Sequence, residues 1–283
     1  MGFGFPNPVL ILCTAGACKS ASFEAMQFVA EADSGGRRTL RRKRIKKLGK
    51  RVIRAVSDFI LRQSRIGVGP VFPPSVFPWL VEFQTEWHCI RDELDRVLAN
   101  HGALPAFHEV SPDQKRISQG DSWKVFPFYG FGDPFEPNLA RCPQTARLLK
   151  RVPDLRNAMF SILAPRYHIP AHRGPTNGLI RIHLGLIVPG NADVCRIRVG
   201  DRVFGWEEGK CVVFDDYFEH EVWNDTDQAR VVLFFDVDRP LRPLGRLVNR
   251  LVLAIVKRSD YVKDAKRNAA EWNTRYAALE QQR

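Results

Sequence analysis

The sequence predicts a mainly β fold, a sandwich or barrel of the jelly-roll kind, with helices flanking it. Two observations carry this. Between Phe160 and Val237, short apolar runs (FSIL, LIRIHLGLIV, VCRIRV, CVVF, ARVVLFFDV) alternate with turn sequences such as Pro189-Gly190-Asn191, Val199-Gly200-Asp201 and Glu208-Gly209. Evenly spaced short strands of this type close into two-layered β structures. On either side the apolar spacing changes to steps of three and four, the helical period.

Taken in order, residues 1–36 show no periodicity and include Ser34-Gly35-Gly36, which reads as a poorly ordered extension. From 37 to 66 comes a basic amphipathic helix, with Ile45, Leu48, Val52, Val56 and Phe59 on one face. The Pro- and Gly-rich GVGPVFPPSVFP is a loop. A helix from about Pro78 to Asn100 follows, its apolar face formed by Leu80, Phe83, Trp87, Ile90, Leu94 and Val97. Asn100 and Gly102 stop it. An aromatic-rich stretch, a short helix near Thr145–Arg151 and the strands complete a domain over residues 70–240. After Pro240-Leu241-Arg242-Pro243, residues 241–283 read as a helical tail whose apolar part is Leu247–Val256.

The charge of +12 is local. Of 43 Lys and Arg, thirteen lie between Arg37 and Ile66 beside one acid, Asp58; the rest of the chain holds thirty of each sign. A basic amphipathic helix either packs as a solvated face or lies on an anionic membrane surface. Nucleic acid is disfavoured, because no reader motif or stacking aromatic accompanies the charge. No apolar run reaches the roughly 18 residues of a membrane span, and no basic-then-apolar leader opens the chain. Six scattered cysteines without a C-x-x-C pair indicate reduced thiols, hence a cytoplasmic protein, peripheral to a membrane if the basic helix binds one. Cys195 and Cys211 read as core residues.

Strand alternation puts Ile180, Ile182, Leu184 and Leu186 on one face and Arg181 and His183 on the other. If the second face lines a small barrel, Arg181 and, on a later strand, Arg230 need carboxylate partners or a bound anion. Few acids in the strand runs offer themselves; Asp215, Asp216 and Glu219 read as a turn and a solvated surface. A carboxylate ligand is therefore the economical expectation. His172-Arg173-Gly174 and the distant His220 match a two-His-one-carboxylate iron site with glycine in place of the carboxylate.

The blocks HRGPTN, RIHLGL, WEEGK, FDDYFEHEVW and FDVDRP, in this order, closely resemble the aspartyl/asparaginyl β-hydroxylase family of Fe(II)/2-oxoglutarate dioxygenases. The resemblance implies a double-stranded β-helix core, Fe(II), 2-oxoglutarate and O2 as reactants, and hydroxylation of a C–H bond. By position it makes His172 and His220 the metal ligands and catalytic residues. Arg181 and His183 resemble the pair at the 2-oxoglutarate end next to iron, and Ser161 and Arg230 the pair at its distal carboxylate. Aspartyl hydroxylases of this type also carry glycine at the place of Gly174. They hold substrate with an arginine where this chain has Leu179. The reading is a hydroxylase of an Asp/Asn-type residue, a free amino acid or a small peptide. The competing readings are an acyl-chain hydroxylase at a membrane surface, and a jelly-roll protein that binds a carboxylate without oxidation.

Overall fold

The computed structural model describes residues 54–280; residues 1–36 and most of the basic helix lie outside them. Residues 54–62 are helical (α1), with Ile60 buried. The next elements are β1 (Val71–Phe72), α2 (Leu80–Thr85), α3 (Trp87–Leu98), α4 (Phe107–Val110), β2 (Trp123–Gly130), β3 (Asp133–Pro134), α5 (Glu136–Arg141) and α6 (Pro143–Leu149). Then come the strands β4 (Leu155–Leu163), β5 (Tyr167–His172), β6 (Leu179–Ile187), β7 (Cys195–Val199), β8 (Arg202–Gly205), β9 (Cys211–Phe214), β10 (His220–Asn224) and β11 (Arg230–Asp238). Two helices close the described chain, α7 (Pro243–Lys257) and α8 (Asp260–Glu280).

The strands form two antiparallel sheets, of seven strands in the order β1-β9-β6-β11-β4-β2-β3 and of four in the order β5-β10-β7-β8. This is the mainly β, jelly-roll core with flanking helices that the strand spacing predicts. Alternation works as expected on the large sheet. Ile180, Ile182 and Leu184 of β6 join Phe160 of β4 and Phe235 of β11 in the core under the helices. Leu80, Phe83, Ile90 and Leu94 of α2 and α3 cover them, with the Phe83 and Phe235 rings stacked at 5.2 Å. Each such side chain contributes about 1.5–3 kcal/mol by leaving water. The inner face, between the sheets, carries Arg181, His183, Ser161 and Arg230 among Phe214, Phe234, Val232 and Trp206.

Four boundaries differ from the sequence expectation. The helix expected over Pro78–Asn100 is two, parted at Glu86, where the backbone leaves helical geometry (φ −100°, ψ 15°). The aromatic stretch contains β2, whose pairing with β4 is irregular between Pro127 and Tyr129. A proline there removes a ladder donor and hides the strand pattern. β5 likewise contains Pro170 and sits at the edge of the small sheet. The helix near Thr145–Arg151 begins at Pro143, the proline taking a first-turn position where no N–H is needed.

Candidate functional site

β5 ends and β10 begins with a histidine, and the register pairs them: His172 is the partner of His220. Their rings lie 4.2 Å apart between centroids. His172 Nδ1 is 2.8 Å from the carbonyl of Pro170, and His220 Nδ1 is 2.9 Å from that of Phe218. A carbonyl only accepts, so each Nδ1 carries its proton and donates, leaving both Nε2 lone pairs for another partner. Burial keeps both rings neutral: it lowers His172 to about 4 and His220 well below the usual range. Two neutral imidazoles fixed through Nδ1–H to backbone is how proteins prepare histidine ligands for a divalent metal.

Among the described residues no third His, Cys, Asp or Glu completes a metal-binding group with them. The place a ligand at 174 would use is filled. Gly174 N–H donates to the Asp216 carbonyl at 2.7 Å, and a Cβ on Gly174 would overlap the Asp216 carboxylate. Glycine here makes room for a different acid.

The acids beside His220 therefore depart from the sequence reading. Asp215 and Asp216 are buried rather than solvated; Glu219 is half-buried and pairs with Arg198 at 3.2 Å. Asp216 accepts from Arg181 Nη2 at 2.8 Å, and Asp236 of β11 takes the rest of the fork, 2.9 Å from Nε and 3.2 Å from Nη2. Burial pushes the Asp216 carboxyl up to about 7 despite that arginine. The expectation that Arg181 lacks protein carboxylates is thus corrected. It belongs to a closed network, its guanidinium 4.2 Å above the Phe234 ring. Asp215 pairs with the fully buried Arg239, whose Nε also donates to the Asn177 carbonyl at 2.6 Å. That ties the loop after His172 to the turn before His220. Sequence reasoning missed Asp216, Asp236 and Arg239. Asp236 was within reach, since alternation along β11 puts it on the face of Arg230.

Arg230 is different. Its side chain is fully buried, and Nε and Nη1 have no hydrogen-bond partner. Its guanidinium lies 4.7 Å over Trp206, and burial lowers it to about 10. Both ring nitrogens of the buried His183 are also unpartnered, as are Trp206 Nε1 and Asp216 Oδ1. Ser161 Oγ accepts from Trp123 Nε1 at 3.0 Å, leaving its own hydrogen to give. Six of the nine buried side-chain polar atoms left without a partner among the described residues thus belong to one contiguous group, connected through Arg181, Phe234 and Trp206. Buried polar atoms are otherwise almost always satisfied, so this group is suited to a polar ligand. A cation at Arg230, a hydroxyl at Ser161 and the paired imidazoles toward the other end fit an elongated carboxylate that reaches a metal.

A family model described as aspartyl/asparaginyl beta-hydroxylase matches residues 84–240. An ornithine lipid ester-linked acyl 2-hydroxylase of Rhizobium tropici is 43% identical over 218 residues, 77% of this chain and 78% of its own. The chain belongs to the aspartyl/asparaginyl β-hydroxylase family. The human aspartyl/asparaginyl beta-hydroxylase is 33% identical over 162 residues, 56% of this chain but 20% of the human protein. Both relatives are named as hydroxylases, and this family member carries the family blocks around the same group of residues. RIHLGL supplies Arg181 and His183; HRGPTN and FDDYFEHEVW supply the paired histidines. WEEGK supplies Trp206, and its turn crosses Gly185 so closely that a Cβ there would meet the Glu207 carbonyl. Among solved structures, a cupin domain of a transcriptional regulator from Enterobacter cloacae aligns over 41% of this chain with 13% identity and a TM-score of 0.29.

Proposed function

We propose that this family member is an Fe(II)- and 2-oxoglutarate-dependent hydroxylase whose substrate is the acyl chain of a membrane lipid. The observation that carries the chemistry is the grouping of two imidazoles fixed through Nδ1, of His183 with both ring nitrogens unpartnered, and of Arg230 with Nε and Nη1 unpartnered. His172 and His220 would hold the metal. Arg230 and Ser161 would bind the distal carboxylate of 2-oxoglutarate by charge-assisted hydrogen bonds, and neutral His183 would meet its other end. When bound, iron and 2-oxoglutarate supply the oxidant for C–H hydroxylation, O2 being consumed and succinate and CO2 released.

The chain's own residues do the positioning. Asp216 and Asp236 fix Arg181, which in turn stacks on Phe234 and helps to keep the paired histidines neutral. Phe214, Phe234 and Trp206 surround His183 and keep water from it. His172 and His220 stay deprotonated at Nε2 because their surroundings are dry.

For the substrate, three observations favour a lipid. The lipid acyl hydroxylase relative and this chain cover one another over more than three quarters of both. Leu179, buried at the start of β6, stands where aspartyl hydroxylases place a substrate-holding arginine. Met159, partner of Phe234 on the inner face, adds a second apolar group there. The test is succinate release and product mass with Fe(II), 2-oxoglutarate and either ornithine lipid in mixed micelles or an Asp-containing peptide. Hydroxylated lipid with matching succinate supports the reading. Turnover with the peptide alone would return the Asp/Asn-type substrate, and 2-oxoglutarate binding without turnover of either would leave a carboxylate-binding protein.

A further inference from the structure

Helix α7 is turned inside out. It buries Gly245 and Asn249 against the protein and exposes Leu244, Leu247, Leu251 and Ile255, each 56–62% accessible. The spacing of three, four and four puts these four on one stripe. Every exposed leucine or isoleucine among the described residues lies in it; the other large exposed apolar groups are valines on other segments. A continuous apolar stripe of this kind marks a surface that is covered in use.

Charge indicates what covers it. Between Pro243 and Lys257 there are three basic residues and no acid. Arg246, Arg250 and Lys257 run along one flank of the stripe, with Arg242 and Arg258 exposed at its two ends. Lys257 meets Asp133 at 2.6 Å and Arg250 reaches Asp154 at 4.0 Å, while Arg62 and Arg65 add exposed cations from the neighbouring α1 segment. That segment is joined to α7 by the Ser64–Leu241 bridge and by Arg242 N–H to the Gln63 carbonyl at 2.9 Å. An apolar stripe with a cationic border is the pattern of a helix lying in the headgroup layer of an anionic bilayer.

The position fits the chemistry. β11 ends at Asp238, the register partner of Leu179, and α7 begins five residues later. On its inner edge Asn249 Nδ2 donates to the Gly178 carbonyl at 3.0 Å, and Asn177 Nδ2 to the Ser57 carbonyl of α1 at 2.7 Å. Both helices thus grip the loop that follows His172.

We infer that α7, with its arginine border, is an in-plane anchor that seats the hydroxylase, at the side where α7 holds the loop after His172, on an anionic membrane. The inference rests on the lipid-acyl reading above for its purpose, and the test separates the two. The full chain is sedimented with vesicles of phosphatidylcholine alone or mixed with phosphatidylglycerol. The probes are wild type, the quadruple variant Leu244→Gln/Leu247→Gln/Leu251→Gln/Ile255→Gln, and the triple variant Arg242→Gln/Arg246→Gln/Arg258→Gln. All seven positions are exposed, so folding is expected to survive, with circular dichroism as the check.

Wild type should bind the anionic vesicles. The apolar variant should lose about tenfold or more of that binding, and the charge variant should lose the preference for anionic lipid. Turnover of ornithine lipid should fall on vesicles but persist in mixed micelles for the apolar variant. Binding with no micellar turnover by any form would fail the substrate reading and leave the anchor standing. Wild-type-like binding by the apolar variant would overturn the anchor and transfer the role to the segment before residue 54. A wild-type dimer that the apolar variant abolishes, with vesicle binding unchanged, would overturn it in favour of a second copy of the chain.

Discussion

Arg181 and Arg230 stand on the same inner face of one sheet, on neighbouring strands, and the protein treats them oppositely. Arg181 is gripped by two buried carboxylates, Asp216 and Asp236. Arg230 is buried more deeply than Arg181 and has Nε and Nη1 unpartnered. A buried guanidinium without a carboxylate is costly, so a protein keeps one only where something else supplies the anion. The surroundings of Arg181 are finished by the chain itself; on the function proposed above, a ligand finishes those of Arg230. The contrast separates architecture from binding, although both residues are arginines in similar strand contexts.

The comparison is sharpest where the two arginines are replaced alike. Arg230→Met should weaken 2-oxoglutarate binding by about 2–5 kcal/mol, roughly thirtyfold to several thousandfold, by calorimetry with Fe(II) present. The same variant without ligand should be at least as stable as wild type in urea, because the lost group had no protein carboxylate. Arg181→Met should do the reverse in stability. It strands two buried carboxylates and should cost about 3–5 kcal/mol of unfolding free energy. Equal stability of the two methionine variants would break the distinction.

Gly174→Asp is the next largest. The new side chain must share the space of the Asp216 carboxylate, so the variant should lose about 1–3 kcal/mol by overpacking without holding Fe(II) more tightly. Combining it with Asp216→Gly should relieve the clash, and only then should metal affinity rise. Smaller still is a thiol test. Burial pushes Cys142 and Cys211 up to about 12, so in the folded protein mild alkylation should mark the exposed Cys89 and spare Cys142, Cys195 and Cys211. Mass mapping of the modified peptides checks it.

Much of this was legible in the sequence because strand alternation is a local rule. LIRIHLGLIV alone separates the aliphatic face from the Arg181–His183 face, and the turn spacing gives the two-layered class. Burial of acids is not local. Asp215 and Asp216 look like a solvated turn until Arg239 and Arg181, both distant along the chain, are brought against them. β2 and β5 were hidden by Pro127 and Pro170, which an edge or an irregular ladder tolerates and a pattern does not show. For α7 the sequence reveals an apolar helix but not which side is covered. That depends on Gly245 and Asn249 fitting close to the protein, a fact of packing. The two histidines are visible in the His-x-Gly pattern and the family blocks; their Nδ1–H bonds to Pro170 and Phe218 are made by strand geometry that no sequence pattern displays.

The most direct test of the central claim is anaerobic addition of Fe(II) and then 2-oxoglutarate to the wild type and to His220→Ala and Arg230→Met, followed by visible absorption. The account predicts a metal-to-2-oxoglutarate charge-transfer band in wild type, no band with His220→Ala, and for Arg230→Met a band only at far higher 2-oxoglutarate. A folded wild type that gives no band, or an Arg230→Met titration that overlays wild type, would contradict it.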